Sequence, residues 1–423
     1  MIVFFAVFIV FLLIGMPISI SIGASAVIGC LNLGYPLMVI GQKMVFGIDS
    51  FLLIAIPLFI FAGNLMNAGK ITDRIFNFAN SLVGWIPGGL GHANIVASLI
   101  FAGMSGSAAA DAGGLGTIEM EAMTSKGYDR DFSAAVTSAS SVVGPIFPPS
   151  IPLIIYGSIA SVSVSKLFVG GVVPAVLIVV TMMALTLVIS LKKGYPRERF
   201  DVKKLAREFA RSILSIITPL IILSGFTAGL FTPTEASCVA VVYALAIAIF
   251  VYRTLDRKSF IKCVLDSAIT SANTLFIIGT STLFTYVLVR EGVSGQIADF
   301  IAGVSMNPGI VILTINIILL VLGMFMEPGA ILTLMLPVLI PIAQRFSLDM
   351  VYFGVIVVLN LMIGQVTPPF GVCLFIVSDV GKVKLEQLYR AIVPFLIPLI
   401  AVLFLCAYYP PLITWLPNAL LGE

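Results

Sequence analysis

Two short stretches of this chain hold the polar atoms that could do chemistry. The first is GMSGSAAADAGGL at 103–115, with Ser105, Ser107 and the bare carboxylate Asp111 among four glycines. The second is SSVVGPIFPPSIP at 140–152, where prolines crowd between Gly144 and Pro149. Each has a counterpart about 220 residues later: GMFMEPGA at 323–330 and NLMIGQVTPPFG at 360–371. A proline inside a helix removes the bond to the carbonyl four residues back and clashes with it. Carbonyls freed in this way, with a hydroxyl or two, are hard oxygen ligands that suit a small, weakly held cation such as Na⁺. The half-helix N-termini left by the break suit an anionic group.

The surroundings make these stretches unusual. Of 423 residues 60% are hydrophobic and only 10% charged, and mean hydropathy is +1.15. Soluble domains carry about 25% charged residues. Long uncharged runs, each enough for the about 20 apolar residues of a spanning helix, predict an all-α polytopic membrane protein. The alternation of a transmembrane β-barrel is absent. The formal net charge of +3 sits in a few loops, so no basic face is offered to nucleic acid. The five cysteines have no paired spacing and read as apolar packing residues. The N-terminal apolar run has no basic leader and no A-x-A site, and is expected to be a first span.

Basic loops mark the cytoplasmic side. Segment 192–211 has eight basic and three acidic residues, and 253–262 has four basic and one acidic. Placing both inside gives spans near 1–16, 17–34, 51–68, 132–160, 168–191, 212–231, 235–252, 262–289, 350–378 and 388–408, with both termini outside. Two segments remain, 88–126 and 307–345, each apolar with a Gly-rich centre. Adding 220 maps Gly103-Met104 onto Gly323-Met324, Asp129 onto Asp349, Gly144 onto Gly364, Pro148-Pro149 onto Pro368-Pro369 and Pro174 onto Pro394. The chain therefore reads as two repeats, 1–200 and 201–423. Each has about five spans plus one re-entrant hairpin, an odd number of crossings that inverts one half relative to the other. Inverted repeats with broken helices at the midplane are a mark of secondary transporters. A turn at that depth must be buried in protein or line a wet cavity, because lipid cannot satisfy its backbone.

Several single residues stay open between two readings. Asp111 is a functional carboxylate at membrane depth or a cap on the second hairpin helix. Glu327 is a cation ligand or gate, or an N-cap before Pro328. Arg290 could clamp a carboxylate, or pair with Glu291 or Asp299. His92 is expected at the interface. Trp85 and the amphipathic stretch 71–82 suggest a helix lying at the inner interface, with 294–305 as its partner. The near-match to a serine-hydrolase elbow at 103–107 lacks its last glycine and its strand–turn–helix setting. No nucleotide loop, zinc spacing or haem motif occurs.

At GMSGSAAADAGGLGTIEMEAM, GPIFPPSIPLIIYG, GMFMEP and QVTPPFG the sequence resembles the large membrane subunit of tripartite ATP-independent periplasmic (TRAP) transporters, over essentially the whole chain. The resemblance implies an elevator-type, Na⁺-coupled importer of organic acids such as sialic acid or C4-dicarboxylates, in a bacterial inner membrane, with a fold like that of divalent anion–sodium symporters and no cofactor beyond Na⁺. It implies two partners, a small four-helix membrane subunit on a separate chain and a periplasmic binding protein. Carried over by position, one Na⁺ site lies between Ser105, Gly106, Ser107 and Gly144, Pro145, Pro148, Ser150. The other lies between Gly323, Met326, Glu327 and Gly364, Thr367, Pro368. Substrate is expected at Ser105, Asp111, Arg290, Glu327, Gln365 and Thr367. The domain carrying both hairpins, about 88–165 plus 307–380, is expected to slide against the remaining spans. The rivals are a stand-alone sodium/carboxylate symporter, an intramembrane hydrolase using Ser105 or Ser107, and a channel.

Overall fold

Proline and glycine decide where this chain stops being helical. The computed structural model describes residues 2–422, apart from Ala228, Ser294, Ile297, Ala298 and 300–306. Among the described residues every regular element is a helix. Eight helices among these residues are long and apolar enough to cross a bilayer.

The first half runs α1 (Ile2–Leu13), α2 (Ile18–Asn32), α3 (Leu37–Ile48), α4 (Ala55–Ala68) and α5 (Ile71–Val83). The first hairpin follows as α6 (Gly89–Ser105), then α7 (Ala108–Ala110), a π turn Asp111–Leu115 and α8 (Gly116–Ser125). A broken span, α9 (Arg130–Ser140) and α10 (Ile151–Ala160), leads to α11 (Val164–Lys193). The second half runs α12 (Val202–Thr227), α13 (Pro233–Ala246) and α14 (Arg257–Arg290). Its hairpin is α15 (Pro308–Phe325) and α16 (Pro328–Arg345), its broken span α17 (Met350–Gly364) and α18 (Val372–Gly381), and its last elements are α19 (Leu385–Tyr408) and α20 (Pro411–Leu421).

The repeat survives in three dimensions. Ser125 and Arg345 end the hairpins, and Arg130 and Met350 begin the broken spans, both pairs 220 apart. Asp129 and Asp349 occupy the N-cap positions, and the only two cis peptide bonds among the described residues are Pro148-Pro149 and Pro368-Pro369. One difference emerges. Leu37, which starts α3, maps onto Arg257, which starts α14, but α14 is one helix of 34 residues where the first half breaks at Asp49-Ser50. Ser50 is extended, and a 3₁₀ turn at Phe51–Ile54 restarts the chain into α4. The separate α3 and the terminal α20 lie outside the ten expected spans. The amphipathic helix appears as α5, burying Ile71, Thr72, Ile75, Phe76 and Ala79 against α6 and α12. Its expected partner at 294–305 lies largely outside the described residues.

Close helix approach relies on small residues, as it must where lipid supplies no hydrophobic drive between helices. A Cβ on Gly23 of α2 would meet Thr280 of α14 at 2.9 Å, and one on Gly29 would meet Phe4 at 2.6 Å. Charged contacts collect at the ends. Lys193 Nζ lies 2.5 Å from Asp129 Oδ2, and the Tyr195 hydroxyl donates to the same oxygen at 2.8 Å. These donors, Lys193 foremost, hold the Asp129 carboxyl below the usual carboxylate range. Glu198 N donates to Gly84 O at 2.8 Å, which ties segment 192–211 to the base of the first hairpin. The base of the second hairpin carries the Arg345–Asp299 pair at 2.8 Å.

Candidate functional site

The two hairpin turns and the two helix breaks meet around one cavity of about 500 Å³. At the first turn Gly106 adopts φ +60°, and a Cβ there would lie 2.6 Å from Pro149 O, so backbone approach and handedness both demand glycine. Ile151 N donates to Gly106 O at 3.5 Å, joining turn to break. The second half repeats the idea with different atoms: Gly371 N donates to Met324 O at 2.9 Å. Hairpin and broken span thus clip together once in each half.

Oxygen atoms gather at both clips. A Cβ on Gly144 would lie 3.2 Å from Ser141 O and 3.3 Å from Ser107 O. Ser150 caps α10 by accepting from Leu153 N at 3.2 Å, and its hydroxyl donates to Pro145 O. Ser105 Oγ is buried with no hydrogen-bond partner among the described residues. In the second half a Cβ at Gly371 would meet Gln365 O at 2.9 Å and Thr367 O at 3.1 Å. Gly364 and Gly323 touch backbone to backbone: a Cβ on Gly364 would fall 2.7 Å from Gly323 Cα. Such carbonyl and hydroxyl clusters are what a hard monovalent cation requires.

Not every expected residue reaches the cavity. Ser105, Gly106, Ser107, Pro145, Glu327 and Gln365 line it. Gly144, Pro148, Ser150, Gly323, Met326, Gly364, Thr367 and Pro368 stand behind that surface, in or beside the clips. Thr367 spends its hydroxyl on Ile363 O at 2.7 Å. Asp111 lies in the π turn, 1% exposed, and Oδ1 accepts from Ser98 Oγ at 3.4 Å on α6. Arg290 is exposed at the end of α14, thirteen residues beyond the cavity-lining Ile277, or roughly 20 Å along the helix axis. Asp299, one of its candidate partners, pairs with Arg345. His92 is 1% exposed, near the start of α6.

Sequence reasoning passed over the opposite wall. Asn64 on α4 and Thr270, Asn273 and Thr274 on α14 face the hairpin turns. The signal was present, because 270, 273, 274 and 277 fall on one helical face. It also passed over two buried polar ties between hairpin and broken span. Asn94 donates to Thr137 Oγ at 2.7 Å and accepts from Ser140 Oγ at 2.8 Å. Asn360, 220 residues after Ser140, donates to Asn316 Oδ1 at 2.7 Å and Asn316 O at 2.9 Å.

Ser107 Oγ accepts from Ala110 N at 3.4 Å at the start of the second hairpin arm. Glu327 O accepts from Ala330 N and Ile331 N at the start of α16, while its side chain makes no cap. Two helix N-termini therefore point toward one cavity whose only ionisable lining residue, among the described residues, is Glu327. That arrangement can hold an anion by backbone N–H groups and hydroxyls.

Comparison with known proteins agrees with this architecture. Residues 5–412 match the family model described as the tripartite ATP-independent periplasmic transporter, DctM component. The chain is 47% identical over 382 residues to the sialic acid TRAP transporter permease protein SiaT of Haemophilus influenzae, covering 90% of this chain and 62% of that one. It is 44% identical to the sialic acid TRAP transporter large permease protein SiaM of Vibrio cholerae, covering 90% of both. It is 33% identical to the C4-dicarboxylate TRAP transporter large permease protein DctM of Rhodobacter capsulatus, covering 99% of both. Among solved structures the Alcanivorax borkumensis YdaH transporter superposes with a TM-score of 0.67 at 12% identity, over 90% of each chain, which shows a shared fold. The family is one of transporter permeases and not of enzymes, and its place is the bacterial inner membrane. With its paired hairpins, paired helix breaks and this extent of likeness, the chain belongs to the DctM family of large membrane subunits of tripartite ATP-independent periplasmic transporters.

Proposed function

We propose that this chain imports an organic acid by sodium-coupled elevator transport, working with a small four-helix membrane subunit and a periplasmic binding protein. The observation that carries the reading is the meeting of both hairpin turns and both helix breaks on one cavity. Sodium binds at the two clips, where carbonyls converge on Gly144 and Gly371, and orders the turns. The ordered N-termini at Ala108–Ala110 and at Gly329-Ala330 then hold the substrate carboxylate, helped by the Ser105 and Ser107 hydroxyls. The unit comprising about 88–165 and 307–380 carries the load across, against the remaining spans. One sodium moving down 100 mV supplies roughly 2.3 kcal/mol. The names of relatives, sialic acid permeases and C4-dicarboxylate permeases, support a carboxylic acid as substrate, while an isethionate permease 38% identical to this chain carries a sulfonic acid name. The test is uptake of labelled acid into proteoliposomes holding the membrane complex, with the binding protein added outside. Uptake is expected only with an inward sodium gradient and the binding protein. Uptake that persists after sodium is replaced by choline overturns the coupling.

A further inference from the structure

The wall opposite the hairpin turns carries chemistry that the carboxylate site does not use. Thr270 Oγ1 donates to Asp266 O at 2.9 Å, and Thr274 Oγ1 donates to Thr270 O at 3.0 Å. Each hydroxyl has thereby spent its one proton on its own helix and presents lone pairs outward. Asn64 Nδ2 donates to Ser267 Oγ at 2.8 Å, and Ser267 Oγ in turn donates to Cys263 O at 2.6 Å. This chain orients the Asn64 carboxamide and leaves Oδ1 as the group with capacity to spare. Asn273, exposed one turn along from Thr270, adds a further carbonyl oxygen and an amide. Three oriented acceptors on one wall call for donors, and a carboxylate has none.

Charge points the same way. No lysine, arginine or histidine lines the cavity among the described residues, and its one ionisable side chain is the acidic Glu327. A second carboxylate placed against this wall, away from the helix N-termini and from the sodium clips, would meet acceptor oxygens with no donor among them to offset its desolvation. Hydroxyl or amide N–H groups would instead satisfy Thr270, Thr274 and Asn64. A cavity of about 500 Å³ is also in the size range of sites that enclose a drug-sized ligand, and a four-carbon diacid would leave much of it to water.

We propose that Asn64, Thr270, Asn273 and Thr274 form a subsite that reads the hydroxyl-rich end of the substrate, so that the cavity selects a polyhydroxylated monocarboxylate of the sugar-acid class over a compact dicarboxylate. The inference rests on the reading that this cavity is the substrate site. It adds a consequence. α4 and α14 lie outside the unit assigned to movement, so the substrate's polar tail would touch the static wall while its carboxylate rides the moving one. The subsite is read only while the two walls face each other.

The test uses the purified membrane complex in detergent with sodium present. Ligand binding is read by calorimetry and by protection from thermal unfolding. Three probes are titrated: N-acetylneuraminate, D-gluconate and succinate. The unchanged protein is expected to bind at least one hydroxylated acid about tenfold or more tightly than succinate, the value of roughly one good hydrogen bond. Thr270→Val with Thr274→Val, which keeps side-chain shape, is expected to weaken that acid about tenfold and to leave succinate unchanged. Asn273→Ala should act in the same direction, and Thr274→Ser should restore binding. Sodium protection in the absence of acid should be equal in all variants, which reports that each has folded. Equal binding of succinate and the hydroxylated acids, or variants that bind the hydroxylated acid as the parent does, overturns the subsite while leaving the carboxylate site standing. Failure of all three acids to bind overturns the cavity assignment and the subsite with it.

Discussion

The two half-sites share a plan and differ in chemistry, and the difference is the most instructive feature of the molecule. In the first half the turn is Gly106-Ser107, with a left-handed glycine and a serine that caps the next helix through its hydroxyl. In the second half the same places hold Met326 and Glu327, both extended, followed by Pro328, and no side chain caps the helix. Proline at the first helical position supplies a preset φ, so the second helix begins by backbone stiffness where the first begins by a hydrogen bond. The breaks differ in company too. The first is buried almost throughout, since Gly171 of α11 lets Ile146 O approach to within 2.2 Å of where a Cβ would stand. The second leaves Pro369 and Phe370 exposed, with the Phe370 ring 5.1 Å from Phe325. One half-site is enclosed by its own repeat, and the other opens outward. The backbone clip is common to both halves, while the side chains around it differ.

The two half-sites differ most in what their paired glycines tolerate. Gly364→Val places atoms where Gly323 backbone stands at 2.7 Å. Uptake is expected to fall about a hundredfold, because a misplacement near 1 Å at a binding constellation costs that much. Gly144→Ala meets carbonyl oxygens at 3.2 and 3.3 Å and should cost far less. Equal losses in proteoliposome uptake would show that the two clips are equally tight.

A second contrast sets Glu327→Gln against Ser107→Ala. Glu327→Gln keeps the side chain's length and an acceptor oxygen, so it should change thermal stability little and raise the half-saturating sodium concentration about tenfold, the worth of a charge-assisted contact. Ser107→Ala removes a cap and should cost about 1 kcal/mol of helix stability, with a smaller shift in sodium dependence. Sodium titration of uptake, beside thermal unfolding, separates the two.

Next come the buried ties. Asn360→Ala removes two bonds and leaves the buried Asn316 Oδ1 without its donor, for a loss of about 1–3 kcal/mol. Ser140→Ala removes the bond to Asn94 and a local bond to Thr137 O, yet leaves Asn94 its contact with the Thr137 hydroxyl, so its loss should be nearer 1 kcal/mol. Unfolding midpoints of the two variants rank them. The smallest effect is expected at Asp129, which is half-exposed. Its carboxyl titrates below its unfolded value because Lys193 and Tyr195 favour the charged form. Its contribution is therefore present above about pH 4, the ordinary carboxylate range, and is lost as pH falls through the lowered value. Asp129→Asn should flatten the acid limb of the stability profile slightly, and 1 M salt should mask the difference.

Much of this was legible in the residues themselves. A turn of small polar residues inside an apolar run has few physical solutions, and its recurrence after 220 residues removed most of them. Gly106, Ser107, Pro145, Glu327 and Gln365 were readable as site residues for that reason, and all line the cavity. What misled was charge. Arg290 drew attention as a cation near a polar helix, yet it stands roughly 20 Å from the cavity-lining turn of that helix. Asn64, Thr270, Asn273 and Thr274 were overlooked because threonines in a long helix usually bond back to their own backbone, as two of these do.

The membrane class, the two inverted halves, the hairpins and the helix breaks are written in the residues. Each follows from local rules: hydrophobic length, proline's missing donor, and glycine where the chain must turn in a place without water. Tertiary structure alone decided which atoms share a cavity. A helix fixes the face on which Thr270 and Asn273 lie but not the partner across from it. That partner, the hairpin turn around Ser105, comes from far along the chain, and only packing brings the two walls together.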